Sequence, residues 1–437
     1  MKRTHTTSFA LAGGLASVAL LAGCSSTPAA TDGGTTDGDA TGNQEKTAID
    51  LWTPQAGSPE VEVENMQAML DAFTAENPEY EFEYTTYPFD SYFTSVQGAA
   101  AAGELPCMLA VDAPTAPSWA WAEWIQPLDL PSSLTDQLIP GAKSTYNDEI
   151  YSVGYWDAGL AFFARQSVLE RNGVRVPTLE EPWTGEEFDG VLEALKQDTE
   201  FAYPVSLGNP DIYAGTPFLW SFGGDLIDRD TYLSAEGVLN GPESVAFGEW
   251  LQELLAKGYI SSTPFDGNPF LTGQVPLLWS GNWDAIASLE AYGDDMVFLP
   301  PVDFGEGPKV GAGSFGYGTS TGCSEEQAEG VNKFLEFSLT TENLVKISDT
   351  QLVIPATEEA AAQSENYGPG KRFVLFAQLE SDYSMIRPAT PAFSVIADIF
   401  NTAVNDILAG ADVQATFDQA AKEIDADIAA NGGYGFE

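Results

Sequence analysis

The run TAIDLWTPQAGSPEVEVENMQAMLDAFTAENPEYEFEYTTY, residues 47–87, changes its apolar period twice, and that change decides the fold. Ile49 and Leu51 alternate with polar neighbours, as on a half-buried strand. Ser58 then stands as an N-cap before Pro59. Met66, Met69, Leu70 and Phe73 follow at i, i+3, i+4 and i+7, the spacing of one helix face, and Asn77-Pro78 ends it. Glu79, Glu81 and Glu83 alternate with Tyr80, Phe82 and Tyr84, which returns the period to two. A second helix is predicted over 91–102, followed by the apolar run from Cys107 to Val111. Strand, helix, strand, helix, strand is the order of a parallel sheet with helical crossovers. Ligands of such sheets bind beyond the carboxyl ends of the strands. Those ends are Trp52 to Ser58, Tyr87 to Phe89, and Asp112 to Pro114.

The alternation continues downstream. TGEEFDGVLEALKQ (184–197) and PESVAFGEWLQELLAKGY (242–259) read as helices, and AYPVSLG (202–208) as a strand. GQVPLLWSGNWDA (273–285) reads as a strand running into a loop rich in Gly, Asn and Trp. Gly311, Gly313 and Gly316 match GxGxxG, but a dinucleotide site needs a helix to open inside that loop. Here the helix waits for a capping box at Ser324 and Gln327, so the glycines read as a crossing between lobes.

Lys2 and Arg3 precede an apolar run from Phe9 to Leu21 too short to span a bilayer, so residues 1–23 read as a secretory signal peptide. Leu21-Ala22-Gly23-Cys24 looks like a bacterial lipobox, which makes Cys24 the lipidation site; ordinary cleavage near the same place is the alternative. Residues 24–47 are rich in Ser, Thr, Gly and Asp and read as a flexible tether. The chain as a whole is 44% hydrophobic and 12% aromatic, enough for a large core split between two lobes beyond the tether. The net charge of -48 makes nucleic acid and anionic surfaces poor partners. His5, the only histidine, lies in the signal peptide, which removes Ser-His-Asp and Cys-His catalysis and His-based metal sites from the mature protein.

Seven pieces then occur in a telling order: LWTPQAGSPE (51–60), GELPCMLAVDAP (103–114), PLDL (127–130), IYSVGYWDAGLAFFARQSVLERNGVRVPTLEEPWTGEEFDGVLEAL (150–195), SFGGDLI (221–227), PLLWSGNWDA (276–285) and RPATPAF (387–393). Together with the lipobox, the chain resembles the extracellular sugar-binding proteins of ABC importers, the family that includes maltose-binding protein. The resemblance implies an α/β fold of two lobes joined by a hinge, with the ligand in the cleft between them. Lobe 1 would take 48–155 plus 316–365, and lobe 2 would take 156–315 plus 366–437. It further implies a monomeric, non-enzymatic receptor. This receptor would be lipid-anchored on the outer face of the cell membrane and pass an uncharged mono- or oligosaccharide to permease subunits, with no cofactor and no metal.

Sugar rings offer apolar CH faces and polar edges, so their sites combine flat aromatics with carboxylate, amide or guanidinium groups. Trp52, Gln55 and Ser58 follow the first strand and Asp112 the third; Trp156 and Asp157 stand near the first lobe crossing. Gly281, Asn282 and Trp283 resemble the family's GNW loop, in which Trp283 would stack and Asn282 bridge hydroxyls. Phe315 stands where the family often places a stacking tryptophan, and Arg387 is a candidate hydroxyl clamp. Core packing is the alternative for each aromatic, and Trp119, Trp121 and Trp124 read as mainly structural. The rival function is a secreted, carboxylate-only glycoside hydrolase, for which Asp112 and Asp157 form the candidate pair. A cell-wall lectin fits the anchor but not the two-lobed pattern.

Cys107 by itself is open to being a core residue, a reactive thiol, a metal ligand or half of a disulfide. In the fold the resemblance implies, the strand Gly316–Thr321 returns antiparallel to Met108–Val111 and brings Cys323 to Cys107. An extracytoplasmic setting permits the bond, and two buried free thiols are the alternative.

Overall fold

Met66, Met69, Leu70 and Phe73 turn one face of the helix Pro59–Glu76 into a core shared with Ile49 and Leu51. Each such side chain contributes about 1.5–3 kcal/mol on burial, so packing fixes this helix on the sheet. The computed structural model describes residues 46–55, 59–208 and 210–436. The signal peptide, Cys24, nearly all of the tether, and Ser58 lie outside the described residues. Among the described residues no helix is long and apolar enough to cross a membrane.

In chain order the strands are β1 (Thr47–Gln55), β2 (Tyr80–Pro88), β3 (Met108–Asp112), β4 (Ile125–Gln126), β5 (Lys143–Tyr146), β6 (Glu149–Val153), β7 (Trp156–Asp157) and β8 (Leu160–Arg165). There follow β9 (Val205–Ser206), β10 (Leu277–Gly281), β11 (Met296–Leu299), β12 (Val310–Ala312), β13 (Phe315–Ser320), β14 (Ile354–Pro355) and β15 (Ser384–Ile386). A seven-stranded sheet runs β2-β1-β3-β13-β6-β5, with β4 paired to β13. β1 is parallel to both β2 and β3, as the opening run predicts. A second sheet runs β11-β8-β10-β9, in which β8 is antiparallel to both neighbours and buried from Leu160 to Ala164.

Each sheet has a large core of its own, and a third, smaller one gathers Phe163, Phe270, Leu278, Met296, Ile354 and Phe376. Residues from Ile49 to Tyr155 and from Tyr317 to Ala360 pack around the first sheet, whereas the second gathers residues from Leu160 to Val310 and from Leu379 to Tyr434. This is a two-lobed α/β architecture. The predicted helices occur at Gly185–Lys196, capped by Thr184, and at Pro242–Ala256, opened by its proline. AYPVSLG yields only the two residues of β9, because Pro204 has no N–H to give to a ladder.

The returning strand is β13, antiparallel to β3 with Phe315 opposite Asp112 and Thr319 opposite Met108. The GxGxxG segment therefore opens no helix: it is the end of β12, a turn at Gly313 and the start of β13. The next helix, Glu325–Ser338, begins at the Ser324/Gln327 capping box. Cys107 and Cys323 are disulfide-bonded across 216 residues of chain, at the end of the strand pair where Ser320 N donates to Cys107 O at 2.8 Å.

Candidate functional site

The carboxyl ends of β1, β2 and β3 and the start of β13 share one edge of the first sheet. Register places Gln55 beside Pro88 and Phe315 opposite Asp112. Tyr92, from the helix Phe89–Ala102, fixes this edge: its hydroxyl donates to Ala110 O at 2.6 Å and lies 3.3 Å from Trp52 O. Trp52 is half-buried, with its ring 4.9 Å from that of Tyr87. Gln55 Nε2 donates to Thr86 Oγ1 at 3.0 Å. Phe315 packs against Phe89 and Phe93, each with ring centroids 6.1 Å away, and Phe89 is 46% exposed. Behind them Tyr155 and Tyr317 share a buried hydroxyl–hydroxyl bond of 3.0 Å, and burial pushes both phenols up from their ordinary range.

From the second sheet the corresponding edge is the carboxyl end of β10. Gly281 is required here: a Cβ on it would stand 2.0 Å from Cζ3 of Trp283, so only glycine lets that indole lie over the backbone. Trp283 remains half-buried, 5.9 Å from the ring of Tyr213. Tyr213 in turn lies under the Arg387 guanidinium at 4.9 Å. The two edges meet through Arg387, which grips Asp112 with Nη2–Oδ1 at 3.0 Å and Nη1–Oδ2 at 3.4 Å and donates to Gly313 O at 2.6 Å. Burial raises the Asp112 carboxyl and Arg387 works against the rise. The Asp112 side chain is still 17% exposed, which leaves acceptor capacity for a ligand hydroxyl.

Three expected contacts turn out to be structural. Arg387 is only 4% exposed and spends its charge on Asp112, so it positions that carboxylate instead of clamping hydroxyls itself. Asn282 is 1% exposed and fully engaged: it accepts from Gly159 N at 3.3 Å and donates to Leu352 O at 3.0 Å and Tyr367 Oη at 3.3 Å. It secures the end of β10 and has no group left to bridge hydroxyls. Asp157 has no exposed surface and accepts from Ala158 N at 2.8 Å and Gly313 N at 3.1 Å. That burial also breaks the hydrolase pair, since Asp157 cannot reach a glycosidic bond. Trp156 is half-buried on β7, opposite Pro355. Trp52, Gln55, Asp112, Gly281, Trp283 and Phe315 therefore occupy the two facing edges, joined by Tyr213, Tyr87, Phe89 and Phe93, which residue type alone did not single out. Tyr87 and Phe89 lie on a strand end identified from the sequence, and Tyr213 on the loop after β9, so strand-end position was the available signal.

A two-lobed α/β fold with facing aromatic edges at the strand ends, crossed by buried connecting strands, defines an extracytoplasmic-type solute-binding protein. The chain belongs to the bacterial extracellular solute-binding protein family, whose family model matches residues 68–368. It is 24% identical over 395 residues to an uncharacterized lipoprotein, in the oleD 5' region, of Streptomyces antibioticus, spanning 86% of this chain and 81% of that one. Its fold matches the GacH receptor of Streptomyces glaucescens, solved unliganded and with acarbose, at 18% identity and a TM-score of 0.75, over 89% of this chain and 98% of that one. The maltose/maltodextrin-binding domain MalE of Bdellovibrio bacteriovorus, solved with maltotriose, matches at 18% identity and a TM-score of 0.74, over 88% of this chain and all of that domain (100%).

Proposed function

We propose that this protein captures an uncharged mono- or oligosaccharide between its lobes and delivers it to the permease of an ABC importer, tethered to the membrane through lipidated Cys24. The observation that carries the reading is the set of partly exposed rings at two facing edges, Trp52, Tyr87, Phe89 and Phe315 on one and Tyr213 and Trp283 on the other. Rings of this kind suit the CH faces of sugars. The cation at this edge, Arg387, is neutralised by Asp112, so the site favours a neutral ligand whose hydroxyls donate to the remaining Asp112 lone pairs. Fold relatives solved with acarbose and maltotriose support the same ligand class. A hydroxyl missing or misplaced would leave such buried acceptors unpaired, which is how the site would select among sugars. The lobes of this reading are 48–155 plus 316–365 and 156–315 plus 366–437; the two larger cores support this division, and a third, smaller core joins Ile354 to Phe163, Phe373 and Phe376.

The test is a thermal-shift panel of glucose, tagatose, trehalose, maltose, maltotriose and maltotetraose, with the sugars analysed afterwards. A neutral sugar present at 100 times its Kd adds about 2.7 kcal/mol of stability and is recovered intact. No shift with any neutral sugar, or a cleaved product that Asp112→Asn abolishes, overturns the reading.

A further inference from the structure

Behind the ligand-facing edge, where the chain passes from one lobe to the other, lies a buried polar cluster that sugar binding does not use. Asp157 on β7 and Glu380 on the helix Val374–Tyr383 are 0% and 4% exposed. Asp157 takes N–H donors from Ala158 and from Gly313, the turn between β12 and β13, so one carboxylate ties the first crossing strand to the second. Among the described residues neither oxygen of Glu380 meets a donor, and the group it faces is Asp157, itself an acceptor. Two buried acceptors that face each other are reconciled when one carries a proton and donates it to the other.

Arg387, just after β15, is committed to Asp112 and Gly313 O, and its Nε meets no acceptor. Tyr213, from the loop after β9, also faces both carboxyls, while Asp112, at the end of β3, acts on Tyr213 and Asp211 acts on Asp112. The fit is tight as well: a Cβ on Gly141 would stand 1.8 Å from Asp157 Oδ2, so the carboxylate lies directly on that backbone with no room for a wider arrangement.

We propose that Asp157 and Glu380 share one proton across the lobe crossing and that this proton holds the crossing strands together, making the hinge a proton-linked latch. When the crossing loosens, water reaches the pair and the proton leaves for bulk solvent, with no other bond made or broken. Electrostatics supports the geometry: burial pushes the Asp157 carboxyl up to about 6, and burial together with Asp157 pushes Glu380 well above the ordinary carboxylate range. The sign follows. The latched form binds more protons than the loosened one, so its advantage is complete below the ordinary carboxylate range and is lost as pH rises through the raised values. The inference rests on the two-lobed architecture and not on the ligand class.

The test is hydrogen exchange by mass spectrometry on the full mature chain, without ligand, following peptides that contain Gly313, whose N–H donates to Asp157. After correction for intrinsic exchange, release of one proton per opening lowers protection up to tenfold per pH unit, or about 100-fold from pH 5 to pH 7. Glu380→Gln keeps a donor to Asp157 but cannot ionise, and flattens the dependence to under threefold. Protection independent of pH in the unsubstituted protein, or an unchanged slope in Glu380→Gln, overturns the latch. Should that variant fail to fold, the slope of the unsubstituted protein decides alone. Because no sugar is present, a wrong ligand class leaves this outcome untouched.

Discussion

Cutting the Cys107–Cys323 bond gives the largest single stability change that can be worked from the structure. The bond closes a loop of 216 residues, joining the start of β3 to the turn after β13, two strands already paired in the fold. Its stabilisation therefore lies in the unfolded chain, which must otherwise be free to separate those ends. The loop-entropy relation gives about 5 kcal/mol for a loop of this length. With a urea m-value of about 3 kcal/mol per M, the unfolding midpoint drops by about 1.7 M. The assay is urea unfolding followed by tryptophan fluorescence, with and without reductant, beside the double variant Cys107→Ser, Cys323→Ser. The double variant should match the reduced protein and ignore reductant. A midpoint that moves by less than about 0.3 M when thiol labelling shows both cysteines reduced would refute the reasoning.

Three further outcomes follow from the proposed ligand-binding edges. Trp283→Ala should weaken binding of the sugar identified in the thermal-shift panel about tenfold by calorimetry, the loss of one stacking face, while the protein stays folded. Gly281→Ala should weaken it by at least as much, because the added Cβ takes the space of the Trp283 ring; an unchanged tryptophan emission spectrum would contradict this. Asn282→Ala should cost about 2–3 kcal/mol of stability in denaturant titration by orphaning buried groups, and should lower sugar affinity less than Trp283→Ala does.

The layout was legible in the sequence because it is written in periodicity: the switch from two to i, i+3, i+4, i+7 and back gives the helix Pro59–Glu76 and β2 closely, whereas β1, legible only around Ile49 and Leu51, extends from Thr47 to Gln55. The edge residues followed from strand ends, which is why Trp52, Asp112, Trp283 and Phe315 lie at the strand-end edges proposed to hold the ligand. What residue type does not carry is burial. Asn282, Asp157 and Arg387 have the right groups for hydroxyls, yet each satisfies backbone or a buried counter-charge, a fact set by contacts 70 to 275 residues away in sequence. Glu380 was equally hidden, a glutamate on a helix in an acidic chain, until its neighbours placed Asp157 beside it. The Cys107–Cys323 pairing was reachable only through the implied strand order.

The most direct test of the account is a hydrogen-exchange footprint of the neutral sugar that gives the largest thermal shift. Added at saturation, it should protect the strand-end segments 52–55, 86–89 and 112–115 of the first sheet together with 211–213 and 281–284 of the second, because the ligand is held from both sides. Protection confined to one sheet, or located on the outer helices 185–196 and 242–256 and absent from both edges, would contradict the account.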